Sequence, residues 1–230
     1  MAKTREYTDP NIYNTHHQNF KNAGQPTTQQ GWIQRAKEVS DILAQDAASR
    51  DIENKSPRAE VALLKSAGLL RLLGPAKYGG GEQSWETGYK VIREVARGDG
   101  SLGMLLGYHL LWSTTANVVG TEEQQDSVQQ VIIENNWFVG GAVNPRDSDL
   151  KITSEGEELV FNGFKNFNTG MHRQLLRWDD EANIGQVAWS LILRYWKVCW
   201  MVQKITSSRS SRLSSLASSS SITGTMLAFA

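Results

Sequence analysis

The chain has 230 residues, 40% of them hydrophobic, enough for one substantial core and part of a second. Its 24 lysines and arginines balance 24 aspartates and glutamates, so nothing in the charge points to nucleic acid or another polyanion as a partner. The lone cysteine, Cys199, excludes an internal disulfide and fits a reducing compartment. No run reaches the ~18 apolar residues of a membrane span, and the polar N-terminus lacks a signal peptide's apolar core, so a cytoplasmic chain without a membrane partner is expected.

Residues 1–30, with His16-His17 and the glutamines between Gln25 and Gln30, read as a disordered polar N-terminus, and residues 31–136 as a helical domain. Trp32, Ala36, Val39, Leu43 and Ala47 recur at helical spacing, and Arg50-Asp51 ends that helix. Ser56-Pro57 supplies an N-cap and a proline at the first helical position, with Gly68 at the C′ position after Ala67. Gly74-Pro75 and Tyr78-Gly79-Gly80-Gly81 mark an irregular loop. Ser84 caps the next helix, which puts Trp85, Gly88, Ile92 and Ala96 on one face. Gly98-Asp99-Gly100 breaks it, and Ser101 reads as the N-cap of a further helix running from Leu102 to Val119. Thr121 and Gln124 have capping-box spacing before a fifth helix, which points Val128, Val131 and Ile132 inward and stops at Asn135-Asn136.

The period then changes. Residues 137–170 read as a partial β-domain, with a strand over Trp137 to Val143, a hairpin from Leu150–Thr153 and Leu159–Asn162, and a strand over Phe164 to Asn168. Helices followed by strands make an α+β organisation. Residues 171–230 are unlike what precedes them: four of the eight tryptophans fall between residues 178 and 200, and ten of the fifteen residues from Ser207 to Ser221 are serine. Such a stretch buries no core, so residues 203–225 are expected to be disordered.

Individual motifs are weak in isolation. Gly98-x-Gly100-x-x-Gly103 matches the dinucleotide fingerprint, but a helix precedes it where a strand is required, so the glycines serve the corner and close helix contact. His109 has no second ligand at metal spacing and reads as a hydrogen-bonded core histidine, so no metal site is expected. Tyr108 lies on an otherwise apolar helix, and packing is its favoured reading. Ser101, Ser113 and Thr114 lack a neighbouring base for nucleophilic catalysis.

In combination, Leu63-Leu64-Lys65-Ser66-Ala67-Gly68-Leu69, Pro75-Ala76-Lys77-Tyr78-Gly79-Gly80, Arg93-Glu94-Val95-Ala96 and Asn162-Gly163-Phe164-Lys165 resemble the acyl-CoA dehydrogenase superfamily over Trp32 to Gly170. Within it, Asp99-Gly100-Ser101-Leu102-Gly103, Leu106-Gly107-Tyr108-His109-Leu110, Asn135-Asn136-Trp137 and Phe167 to Gly170 resemble the dibenzothiophene monooxygenase group of flavin-dependent desulfurisation enzymes. The resemblance implies an N-terminal helical domain followed by the start of a middle β-barrel domain. It also implies a flavin cofactor (FAD or reduced FMN), a small apolar substrate such as an organosulfur compound, and a separate flavin reductase. By the same resemblance, full-length relatives would be homotetramers. Trp137, Gly141, Val143, Asn144, Phe167 and Thr169 would bind the flavin, and Tyr108 would be the catalytic residue lining the pocket.

Departures accompany the likeness. Met104 stands where the dibenzothiophene enzymes carry an active-site histidine, and Gly141 where they carry an asparagine. Val143-Asn144-Pro145 replaces the Thr-Glu-Pro of the dehydrogenase branch. The family's C-terminal four-helix bundle is not recognisable after Gly170, and the tail resembles an out-of-frame or unspliced translation. The expected function is a two-component reduced-flavin monooxygenase, weakly active or inactive as this chain. The alternatives are an FAD-dependent acyl-CoA dehydrogenase and a non-catalytic fragment or interaction module.

Overall fold

The computed structural model describes residues 6–141, 150–155 and 158–163. Residues up to Gly141 belong to one compact unit and the two strands to another. The first unit holds eight α-helices among its described residues: α1 (Asn14–Ala23), α2 (Gln29–Ala44), α3 (Ala47–Glu53), α4 (Arg58–Ser66), α5 (Trp85–Gly98), α6 (Gly100–Ser113), α7 (Ala116–Val119) and α8 (Glu122–Glu134). Single 3₁₀ turns at Leu69–Arg71 and Ala76–Tyr78 shape the connection between α4 and α5.

The apolar periodicity of α2 becomes its buried face. Trp32, Ala36, Val39 and Leu43 are fully buried, and α5 packs between α2 and α6. Two glycines permit this packing. A Cβ on Gly98 would lie 2.1 Å from the Ser40 carbonyl oxygen, and one on Gly103 would lie 2.4 Å from the Ala96 Cβ. Two of the three fingerprint-like glycines, Gly98 and Gly103, therefore serve close approach between helices, while Gly100 faces open space.

Local side-chain caps start four of the eight helices, α2, α5, α6 and α8. Thr28 accepts from the Gly31 N–H at 3.1 Å to start α2. Ser84 caps α5, and Thr121 and Gln124 form the reciprocal capping box of α8. After α4, Gly68 takes the left-handed conformation (φ +80°), where a side chain would be strained. Val128, Ile132 and Ile133 are the buried face of α8, whereas Val131 is only half-buried.

Four expectations are corrected. The N-cap of α6 is Asp99, not Ser101: its Oδ1 accepts from the Leu102 N–H at 3.0 Å, and Ser101 is an exposed residue inside the helix. A carboxylate suits the positive end of a helix, and its second oxygen also accepts from Arg50 Nη2 at 2.7 Å. Ser56 does not cap α4. Thr8, far away in sequence, accepts from the Ala59 N–H at 2.9 Å and replaces it. The helix expected from Leu102 to Val119 is interrupted between α6 and α7, where the Thr114 and Thr115 hydroxyls donate to carbonyls of the preceding turn. Nor are residues 6–30 a structureless tail. They form α1, a bridge between Tyr7 and Ser56, and the first turn of α2.

What holds this N-terminal segment is a buried polar network. Glu60 is fully buried; Thr8 Oγ1 donates to its Oε2 at 2.7 Å, and Arg50 Nε lies 3.6 Å from its Oε1. Arg50 also donates to the Tyr13 hydroxyl at 3.3 Å and pairs with Asp46 and Asp99. Burial, before any other cause, pushes the Tyr13 phenol above its ordinary pKa. One guanidinium thus ties α3, α4, the segment before α1 and the α5–α6 corner together.

In the second unit, β1 (Leu150–Glu155) and β2 (Glu158–Gly163) pair antiparallel, from Leu150 opposite Gly163 to Glu155 opposite Glu158. This matches the expected hairpin. The strand expected over Trp137 to Val143 is not formed at 137–141, which pairs with no other strand among the described residues; 142–143 lie outside them. The expected strand at 164–168 and the whole of 171–230 also lie outside the described residues.

Candidate functional site

Helix α6 is apolar on nearly every side. Leu102, Leu105, Leu106 and Leu110 face the core. On the opposite side, Met104, Tyr108 and Leu111 recur at steps of four and three and are 54%, 39% and 49% exposed. A helix this apolar is ordinarily covered all round, so its outer stripe is the surface most in need of a partner. The Tyr108 hydroxyl makes no hydrogen bond among the described residues.

His109 connects this helix to the segment after α8. It is wholly buried; its Nε2 donates to the Leu70 carbonyl at 2.8 Å, and its Nδ1 accepts from the Val139 N–H at 2.9 Å. Its ring stacks on Phe138 with centroids 5.2 Å apart. Both contacts suit the neutral imidazole, and burial pushes its pKa down to about 4. The core-histidine reading holds, with one addition: through Val139 this side chain fixes how residues 137–141 lie against α6. This histidine and the Phe138 stack hold the segment, which pairs with no strand among the described residues.

Trp112, one turn beyond Tyr108, covers Gly141. A Cβ on Gly141 would fall 2.1 Å from the indole ring, so the room taken elsewhere by a side chain is taken here by Trp112. Gly141 therefore offers only backbone to a ligand. The N–H groups of Gly140 and Gly141 make no hydrogen bond among the described residues. Trp137 is half-buried, and both its Nε1 and that of Trp112 are buried without a partner among the described residues.

Of the anticipated site residues, Gly141 lies against Trp112, which is four residues beyond Tyr108 on α6, and Trp137 begins the same segment as Gly141. Val143, Asn144, Phe167 and Thr169 lie outside the described residues. Trp112 and the anchoring role of His109 were not anticipated. The signal for His109 was present: a lone imidazole in an apolar helix must find two partners once buried.

An apolar helix face near a segment whose backbone donors are unpaired among the described residues can hold a flat apolar ring with a polar edge. Residues 28–134 match the acyl-CoA dehydrogenase N-terminal domain. Over 130 residues the chain is 39% identical to a dibenzothiophene monooxygenase of Rhodococcus qingshengii, a match covering 54% of this chain and 31% of that protein. It is 33% identical over 135 residues to a probable FMNH2-dependent monooxygenase of Pseudomonas putida, covering 59% and 34%. Among solved structures it resembles TdsC of Paenibacillus sp. A11-2 in complex with FMN and indole, with a TM-score of 0.56 and 29% identity over 60% of this chain and 35% of that one. The chain spans about a third of the length of the curated relatives it matches.

Proposed function

We propose that the chain carries the N-terminal part of a reduced-flavin monooxygenase acting on a small apolar substrate of the organosulfur type, supplied with reduced flavin by a separate reductase. The observation that carries the proposal is the uncovered apolar stripe Met104–Tyr108–Leu111 beside a histidine-anchored backbone segment. The names of the relatives support the same chemistry.

In this reading, the Gly140 and Gly141 N–H groups take the polar edge of the isoalloxazine, and the α6 stripe faces the space shared by flavin and substrate. Val143, Asn144, Phe167 and Thr169 complete the flavin contacts, on the resemblance alone. A bound reduced flavin supplies the oxygen-activating chemistry. The protein's own part is to orient the reactants and exclude water: Met104 and Leu111 supply apolar wall, and the Tyr108 hydroxyl supplies one hydrogen-bond donor directed at the reacting atoms. His109 stays neutral at physiological pH and works as a positioning residue, holding residues 137–141 at a fixed distance from α6.

Titration of the full chain with FMN, followed by flavin fluorescence, tests the proposal. Saturable binding is expected, weakened about tenfold or more in Met104→Glu, because a carboxylate in an apolar contact must be desolvated. Absence of saturation, or equal affinity in Met104→Glu, contradicts it.

A further inference from the structure

A cavity of about 420 Å³ opens on another part of the helical unit, between α1, α2, α4 and Asn136, two residues past the end of α8. Its lining includes Lys21, Arg35, Lys65, Arg71, His17 and Asn136, and no aspartate or glutamate. Arg35 is already satisfied: it donates to the carbonyls of Ala67 and Gly24 and pairs with Glu38. Arg71 is not. No carboxylate reaches its guanidinium among the described residues, and its Nε is buried without a hydrogen-bond partner. Burial alone holds its pKa below the ordinary arginine value, so the charge is partly desolvated and uncompensated. A second orphan lies on the same wall: Asn136 donates through Nδ2 to the Lys65 carbonyl at 3.4 Å, while its buried Oδ1 accepts nothing.

The cavity therefore presents an excess of positive charge, one buried donor lacking an acceptor and one buried acceptor lacking a donor. Unpaired groups of this kind are costly in a native fold unless a ligand or water completes them. We propose that this cavity binds a small phosphate-class oxyanion, its oxygens accepting from Arg71 and its own P–OH or neighbouring hydroxyl donating to Asn136 Oδ1. Lys21 and Lys65 add charge at the rim. None of these residues lies on α6, so the assignment stands apart from the flavin reading.

Thermal unfolding of the full chain, with sodium phosphate added against sodium chloride at constant ionic strength, tests this. Phosphate is expected to raise Tm saturably in the native chain and in the control Lys90→Gln, whose lysine is exposed on α5 and paired with Glu86. Affinity is expected to fall roughly tenfold in Arg71→Gln and about threefold in Lys21→Gln, a rim change that leaves the buried wall intact. Sulfate has no proton to give at neutral pH and is expected to bind more weakly than phosphate. Glycerol 3-phosphate separates the sources: tighter binding than phosphate assigns a phosphate monoester, and weaker binding assigns the free ion. No saturable rise in the native chain, or a rise that both Arg71→Gln and Lys21→Gln keep in full, overturns the site. Sulfate matching phosphate overturns the part given to Asn136.

Discussion

His109 joins two partners distant in sequence, Leu70 and Val139, through the two nitrogens of one neutral ring. Its folded pKa of about 4 lies below the ordinary 6.5, so between those values the unfolded chain binds a proton that the folded chain refuses. Stability is then fully present above pH 6.5 and declines as pH falls toward 4, by about 3 kcal/mol across the whole window. Urea unfolding at pH 7.0 and 5.0 should show this decline, and His109→Phe should lose it while being less stable at pH 7. A native-like slope in His109→Phe would refute the assignment. That His109 is buried was legible from its apolar neighbours. That it anchors residues 137–141 was not, because nothing in a linear pattern says which carbonyl and which N–H will meet the ring. Asp99 escaped for a similar reason: its advantage over Ser101 as a cap lies in Arg50, 49 positions away.

Where an apolar face repeats at helical spacing, the helix could be read from the sequence, as for α2, α4, α5 and α8, although α2 stops at Ala44 and the expected end at Arg50-Asp51 falls inside α3. Helix α1 has no such face: Phe20 is its only buried residue. Its order comes instead from polar tertiary contacts, Thr8 with Glu60 and Ala59, and His17 with Ser66 at 2.7 Å. Thr8→Val keeps the shape of the side chain and removes the hydroxyl. It strands a buried carboxylate oxygen and a helix N–H, and should cost roughly 2–4 kcal/mol in urea unfolding. A loss below about 0.5 kcal/mol, the size of an ordinary surface change, would mean that the first residues dock weakly. The expected strand at 137–143 illustrates the converse error. An apolar, aromatic run reads as a strand, yet the contacts of 137–141 among the described residues are with α6, through His109 and Trp112.

At the scale of the molecule, one helix has two apolar sides and only one of them is buried by the described residues. Among these residues no helix is long and apolar enough to cross a membrane. The flavin-site reading rests on that stripe and the anchored segment beside it. The most direct measurement follows the Met104 methyl resonance of the full chain during titration with lumiflavin, which has the isoalloxazine ring but no phosphate and so cannot report on the basic cavity. A saturable shift of the Met104 methyl, reduced severalfold in affinity by Tyr108→Ala, is the predicted result. A Met104 signal that stays in place at saturating lumiflavin would contradict the placement of the ring against α6.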